Sequence, residues 1–185
     1  DVLQINDPYL TIENLAYLLN FDSVFGKLQK KFKVNKKYLI YGKKKIKFSN
    51  EHNFYNSFNF KQKIVIIDSS GIKKNHDLLK KKTSINFNKA IITHTYEKSD
   101  IQIIFGVNDS KFDKQKHRII STSICDAVAI GPVVSVLNKE FKITSGSILT
   151  LHPWLGYQNL TDGPSRSFAY PGEIIENFSL GRAST

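Results

Sequence analysis

Methionine is absent from all 185 residues, including the first, so the chain reads as a processed piece or a fragment of a longer translation product. Cysteine occurs once, at Cys125. One thiol excludes an internal disulfide framework and any metal site built from several cysteines, and no metal is expected. An unpaired thiol also fits a reducing, cytoplasmic setting. No apolar run approaches the roughly 20 residues of a membrane span, so no membrane role is expected. Residues Asp1 to Asp7 hold no basic stretch followed by an apolar one, and no secretory signal is expected from them. Arginine is scarce, at Arg118, Arg166 and Arg182 only. Arginine is the usual base-reading and phosphate-clamping side chain, so its scarcity weighs against a nucleic-acid site.

What is plentiful is lysine. The net charge is +11, and ten lysines fall between Lys27 and Lys47. Such a cluster suits a polyanion-binding surface or a solvated face, and the second reading is preferred because lysine, asparagine and isoleucine are abundant throughout. The 41% hydrophobic and 12% aromatic content is enough for a packed core.

The chain alternates strand and helix signals, the pattern of an α/β sheet. Val2 to Ile5 reads as a strand stopped at Asn6-Asp7-Pro8. Thr11 reads as the cap of a helix whose apolar face is Leu15, Leu18 and Leu19. Lys37 to Phe48 reads as a β-hairpin turning at Gly42. Asn50 to Phe60 reads as a loop or short helix. Ile64 to Ile67 is a continuous β-branched run, expected to be buried on both faces of a parallel sheet. A helix is expected over Asn75 to Lys82, and strands over Ala90 to Ile92, Ile101 to Phe105 and Arg118 to Ile120. A helix is expected from Cys125 to Phe141, with Gly131-Pro132 inside it. A strand from Ile143 to Leu151 is expected to end at His152-Pro153.

Ligands of open parallel sheets bind beyond the carboxyl ends of strands. The polar groups there are therefore candidates: Asn6, Asp7, Ser69, Ser70, Gly71, Thr93, and Ser121 to Cys125. A thiol at a helix start meets unpaired N–H groups and the helix dipole, which favour a thiolate and can hold an oxyanion. His152, 27 residues later, is a candidate base for Cys125. A lone cysteine is also commonly a small buried hydrophobe, and a lone histidine after a strand is commonly structural. Ser69 and Ser70 equally suit a strand-ending turn.

The words around these residues resemble one family. Asn6-Asp7-Pro8, Leu15-Ala16-Tyr17-Leu18-Leu19, Phe21-Asp22-Ser23 and Gly26-Lys27 resemble the N-terminal region of glyceraldehyde-3-phosphate dehydrogenases. Asp68-Ser69-Ser70-Gly71 resembles that family's Glu-Ser-Thr-Gly turn. Gly106-Val107-Asn108, Ile119 to Cys125 with Pro132, Thr150-Leu151-His152, Gln158 and Asp162 to Ser165 follow in the family's order. The resemblance implies an incomplete Rossmann-type parallel sheet over residues 1–124, lacking its first βα unit, then the start of an α+β catalytic domain over 125–185. It implies NAD as cofactor, with Asp7 on the adenosine ribose, Asn6, Ser69, Ser70 and Gly71 along the cleft, and Thr93 closing on it. It implies Cys125 and His152 as catalytic residues, a small aldehyde and inorganic phosphate as substrates, and a cytoplasmic homotetramer.

Three departures stand out. The family's Ser-Cys-Thr is Ile124-Cys125-Asp126, where the flanking hydroxyls normally help bind phosphate. Asp126 either faces the pocket and repels an anion, or points away as a helix-start acid. The threonine after the histidine is Leu155. The glycine-rich phosphate loop and the later part of the catalytic domain do not occur in these 185 residues, which alone are not expected to turn over. The other reading kept open is a diverged, non-catalytic binding protein acting through its lysine-rich surface.

Overall fold

A computed structural model describes residues 1–53, 58, 60–81 and 86–151. The chain divides into two compact units. The first comprises Asp1–Ile101 and Asp113–Ser121, and the second Gln102–Phe112 and Thr122–Thr185.

The first unit opens with strand β1 (Gln4–Asn6), later and shorter than the Val2–Ile5 expectation. Helix α1 (Ile12–Asn20) begins as its cap residue dictates: Thr11 Oγ1 accepts the Asn14 N–H at 3.2 Å. Its inward stripe is Ile12, Ala16 and Asn20, flanked by partly buried Leu15 and Leu19, while Leu18 is 50% exposed. The buried face is thus rotated from the expected one, because Leu18 lies off the i, i+4 stripe. Asn20 stays buried by donating Nδ2 to the Phe32 carbonyl at 3.0 Å and accepting the Phe32 N–H at 2.7 Å.

Two short strands, β2 (Phe21–Asp22) and β3 (Gly26–Lys27), pair antiparallel. Then come β4 (Lys33–Asn35), β5 (Tyr38–Tyr41) and β6 (Lys44–Ser49). Their sheet has the order β1-β6-β5-β4, with β1 parallel to β6 and the rest antiparallel. The β5–β6 hairpin turns at Gly42, whose φ of +63° suits a residue without a Cβ. β4 was not foreseen. Its link to β5 runs through Lys36 at φ +52°, a left-handed position that carries no glycine or asparagine signal. Ile12, Ala16, Leu39, Ile46 and Phe48 form the core between α1 and this sheet.

The second sheet is built from β7 (Ile64–Asp68), β8 (Phe87–Ile92), β9 (Ile101–Gln102) and β10 (Ile119–Ser121), in the order β7-β8-β10-β9. β7, β8 and β10 are parallel, as the α/β reading required. Helix α2 (Lys73–Lys80) connects β7 toward β8 and buries Leu79 and His76. The expectation that β7 is buried on both faces is corrected. Ile64, Ile66 and Asp68 are buried, but Val65 and Ile67 are 55% and 67% exposed. Only one face of β7 is covered among the described residues, so a β-branched run signals strand without signalling two-sided burial. The strand expected over Ile101 to Phe105 is limited to Ile101–Gln102, because Ile104 and Gly106 are drawn into a tight turn.

In the second unit, helix α3 (Cys125–Phe141) has the expected bounds despite Pro132. Gly131 explains how the helix packs. A Cβ there would meet Ile104 Cδ1 at 3.4 Å and Val107 Cγ2 at 3.6 Å, so its bare backbone lies against the Gly106-Val107-Asn108 turn. That turn is held by Asn108, whose Oδ1 accepts the Ile104 N–H at 2.8 Å and whose Nδ2 donates to the Gln102 carbonyl at 3.0 Å. The strand expected from Ile143 to Leu151 does not form: the chain after Lys142 is irregular through Leu151. A strand needs a ladder partner, and no described strand runs beside these residues. Among the described residues, no helix is long and apolar enough to cross a membrane.

Candidate cofactor groove and nucleophile

The carboxyl end of β1 carries Asn6 and Asp7, and the carboxyl end of β7 carries Asp68, Ser69 and Ser70. Asn6, Asp7, Ser69 and Ser70 line one groove of about 880 Å³ in the first unit. Gly71 and Thr93 adjoin this group without lining the groove. Asp7 Oδ1 accepts the Tyr9 N–H at 2.9 Å, which curls the chain behind Pro8 and fixes the carboxylate at the strand end. The Asn6 side chain has a mainly architectural task. Its Oδ1 accepts Ser49 Oγ–H at 2.8 Å and the Glu51 N–H at 3.0 Å, and its Nδ2 donates to the Glu51 carbonyl at 3.1 Å.

The second wall is an Asx turn. Asp68 Oδ1 accepts the Ser70 N–H at 2.8 Å, and Ser70 Oγ accepts the Ile72 N–H at 3.1 Å. Gly71 has φ +68° with open space around a would-be Cβ, so its requirement is conformational and not steric. Thr93 donates its N–H to the Asp68 carbonyl at 3.0 Å, tying the ends of β7 and β8 together.

Cys125 is the first residue of α3, and it is exposed. The residue two before it, Ser123, has φ +69°, a left-handed conformation that a non-glycine residue adopts at a cost of about 1 kcal/mol or more. The Val128 N–H makes the first helical bond, to the Ile124 carbonyl at 2.9 Å, so the preceding N–H groups lack intrahelical acceptors. Ile124 is the N-cap residue and offers no side-chain cap. Asp126 sits in the first turn beside the thiol: Cys125 Sγ donates to Asp126 Oδ1 at 3.7 Å. His152 and Leu155 lie outside the described residues.

The lysine-rich segment uses part of its charge on nearby aromatic rings. Lys45 Nζ lies 4.0 Å from the Tyr38 ring centroid, and Lys31 Nζ 4.9 Å from that of Phe21. Sequence reasoning missed His76 and His94, which lie buried and half-buried behind the Asp68 turn. A histidine within Lys73-Lys74-Asn75-His76 reads as surface, and only its i, i+3 relation to Leu79 hinted otherwise.

A parallel sheet, a groove at strand carboxyl ends and an acid closing β1 are the features of a dinucleotide-binding α/β protein. Residues 1–76 match the family model described as glyceraldehyde 3-phosphate dehydrogenase, NAD binding domain. The chain is 31% identical over 179 residues to glyceraldehyde-3-phosphate dehydrogenase 1 of Bacillus subtilis, covering 96% of this chain and 53% of that protein. It is 30% identical over 166 residues to glyceraldehyde-3-phosphate dehydrogenase 1 of Kluyveromyces marxianus (89% and 50% covered), and 32% over 169 residues to the Mycobacterium leprae enzyme (88% and 48%). The chain belongs to the glyceraldehyde-3-phosphate dehydrogenase family, with a Rossmann-type NAD-binding sheet. It spans about half the length of the curated relatives it matches.

Proposed function

We propose that the protein carrying this chain oxidises an aldehyde, glyceraldehyde 3-phosphate or a close relative, with NAD as oxidant. The groove supports the cofactor half of this reading. Asp7 would accept hydrogen bonds from the adenosine ribose hydroxyls and repel a 2′-phosphate, favouring NAD over NADP. Ser69, Ser70 and Gly71 would border the cofactor and Thr93 would close on it. Bound NAD supplies the acceptor for hydride. In this reading residues 1–124 serve the cofactor and 125–185 begin the catalytic domain of a cytoplasmic homotetramer.

The chemistry then rests on Cys125. Its sulfur bonds to the aldehyde carbon, and the carbonyl oxygen becomes the hydroxyl of a thiohemiacetal. His152 takes that hydroxyl proton as the carbon loses hydride, leaving a thioester on sulfur. A phosphate oxygen attacks the thioester carbon, the C–S bond breaks, and the Cys125 thiolate is restored with release of an acyl phosphate. Ile124, Asp126 and Leu155 would border the acyl and phosphate positions. The observation that carries this reading is an exposed thiol at the first position of a 17-residue helix in a chain of this family. The test is Cys125→Ser in the protein with its whole catalytic domain: aldehyde-dependent NADH formation should fall on the order of 10³-fold or more. Full activity in that variant would overturn the covalent mechanism.

A further inference from the structure

A buried polar cluster lies beneath the Ser69–Ser70–Gly71 turn. Asp68 ends β7, His76 lies on α2, and His94 and Tyr96 follow β8. The His76 and Asp68 side chains are 0% and 2% exposed, with His76 Nε2 3.4 Å from Asp68 Oδ2. The His76 ring packs on His94 at 4.6 Å between centroids and on Tyr96 at 5.3 Å. Among the described residues, the buried side-chain atoms without a well-formed hydrogen bond are Asp68 Oδ2, both ring nitrogens of His76, and His94 Nε2. They form one cluster. Each such atom is a stability cost that a packed apolar side chain would avoid.

The neighbours decide which nitrogens carry protons. His94 Nδ1 lies 2.8 Å from the Thr95 carbonyl, which can only accept, so Nδ1 carries the proton and Nε2 presents a lone pair. His76 Nε2 faces a carboxylate, so it carries the proton and Nδ1 presents the lone pair. The other oxygen of that carboxylate, Asp68 Oδ1, holds the Ser70 N–H. The Asp68 carbonyl holds the Thr93 N–H. Contacts thus run from the His76 ring through the Asp68 carboxylate to the turn, while the Asp68 backbone carbonyl ties the same residue to Thr93.

We propose that His76 is a positioning residue for the cofactor groove: through Asp68 it orients the Ser69–Ser70–Gly71 turn, and protonation of His76 loosens that turn. The proposal rests on the cofactor reading above. A proton added to His76 goes to Nδ1, inside the cluster. Burial is the largest influence on the ring and holds its pKa below the usual histidine value. Asp68 opposes this, His94 reinforces it, and Asp77 opposes it. Asp77 is already engaged by the Tyr96 hydroxyl at 2.8 Å and by Lys98 at 3.3 Å. The Tyr96 phenol, pushed up to about 12 by burial and then by Asp77, remains a donor throughout. A cavity of about 150 Å³, lined by Lys73, His76, His94, Glu97 and Lys98 among others, gives a charged ring room to turn toward water. Turning there withdraws it from Asp68 Oδ2, and Asp68 is then free to release Ser70.

Amide hydrogen exchange at Ser70 and Gly71, followed by NMR on the intact 185-residue chain from pH 8 to pH 5, tests this. Ile46 and Phe48 in the other sheet serve as controls. In the parent, Ser70 protection, corrected for intrinsic exchange, should fall by about tenfold as the pH drops below about 6.5, the ordinary histidine value. His76→Gln keeps a side-chain N–H for Asp68 but does not titrate, so protection should stay high and independent of pH. His76→Leu should lose about tenfold protection at every pH, the size of one lost polar contact to a carboxylate, here the 3.4 Å approach of Nε2 to Asp68 Oδ2, while Ile46 and Phe48 are unchanged. Equal Ser70 protection in parent and His76→Leu, or a pH dependence persisting in His76→Gln, would overturn the proposal. NAD titration of the parent and the same two variants, made in the protein with its whole cofactor and catalytic domains, separates it from the cofactor reading. Affinity lost in His76→Leu and regained in His76→Gln supports both. Equal affinity in all three sinks the positioning role alone, and no NAD binding by the parent at any pH sinks the cofactor reading.

Discussion

Asp100 offers the most quantitative check on the second sheet. It precedes β9 and accepts three donors: Lys80 Nζ on Oδ1 at 2.7 Å, and the N–H groups of Arg118 and Ile119 on Oδ2 at 2.8 and 2.7 Å. Its own N–H donates to the Ile119 carbonyl at 2.8 Å. Asp100→Ala would leave two backbone donors at the start of β10 without acceptors, one of them on Ile119, which is only 3% exposed. An orphaned buried donor costs about 1–3 kcal/mol, and the half-exposed Lys80 pair adds at most about 1 kcal/mol, so a loss of about 3 kcal/mol is expected. Asp100→Asn keeps an oxygen for Arg118 and Ile119 and forfeits the lysine, so it should lose about half as much. Urea unfolding followed by circular dichroism measures both. The pH dependence has a definite sign. Burial raises the Asp100 pKa, but Lys80 and the two backbone donors outweigh it and hold the value below that of an ordinary aspartate. The charge-dependent part of the stabilisation is therefore present above about pH 3.9 and is lost as the pH falls through the depressed folded value, where the parent should converge on Asp100→Asn, since a protonated carboxyl still offers an oxygen to Arg118 and Ile119. If Asp100→Ala lay within about 0.5 kcal/mol of the parent at neutral pH, the range of ordinary surface substitutions, or Asp100→Asn were equally damaging, the clamp would be wrongly described.

Leu39 is fully buried in the core beneath α1, and Leu39→Ala should cost about 2–5 kcal/mol in the same unfolding experiment. A loss under about 1 kcal/mol would mean that α1 does not seal that core. Asp126 holds its carboxylate beside the Cys125 sulfur, where an attacking phosphate would also carry negative charge. Asp126→Thr in the protein with its whole catalytic domain should lower the KM for phosphate by roughly tenfold, one close charge repulsion relieved, with little change in the KM for aldehyde. An unchanged phosphate KM would mean that Asp126 faces away from the acceptor.

The elements most legible in the chain were those announced by local chemistry. Thr11 offers a hydroxyl to the first turn of α1, and the Cys125 to Phe141 run contains enough helix-compatible residues to carry Gly131 and Pro132 within it. Parallel pairing was legible in β7 because β-branched residues are continuous there. Burial was not, because exposure of Val65 and Ile67 depends on what covers a face, which no local pattern encodes. β4 escaped notice for a related reason: its turn places Lys36 in a left-handed conformation, and only the finished hairpin makes that tolerable. The apolar residues from Ile143 to Leu151 have strand composition but no described ladder to join, and composition cannot supply a partner.

The candidate site divides along the same line. Asp7, Ser69, Ser70 and Cys125 could be chosen from sequence because strand ends and helix starts concentrate unpaired polar groups wherever the chain folds as α/β. Orientation could not. The sequence leaves Asp126 free to face either way, and only the folded helix start brings its carboxylate beside the neighbouring sulfur. Asn6, chosen for the groove, spends its amide on Ser49 and Glu51. His76 was invisible for the opposite reason. Its lysine neighbours describe the solvent side of α2, while its own ring is buried with Leu79 and meets the carboxylate that ends β7. What joins ring and carboxylate is tertiary packing, because α2 must first fold back on the sheet before the two can touch. A pattern of local signals along the chain carries no trace of that contact.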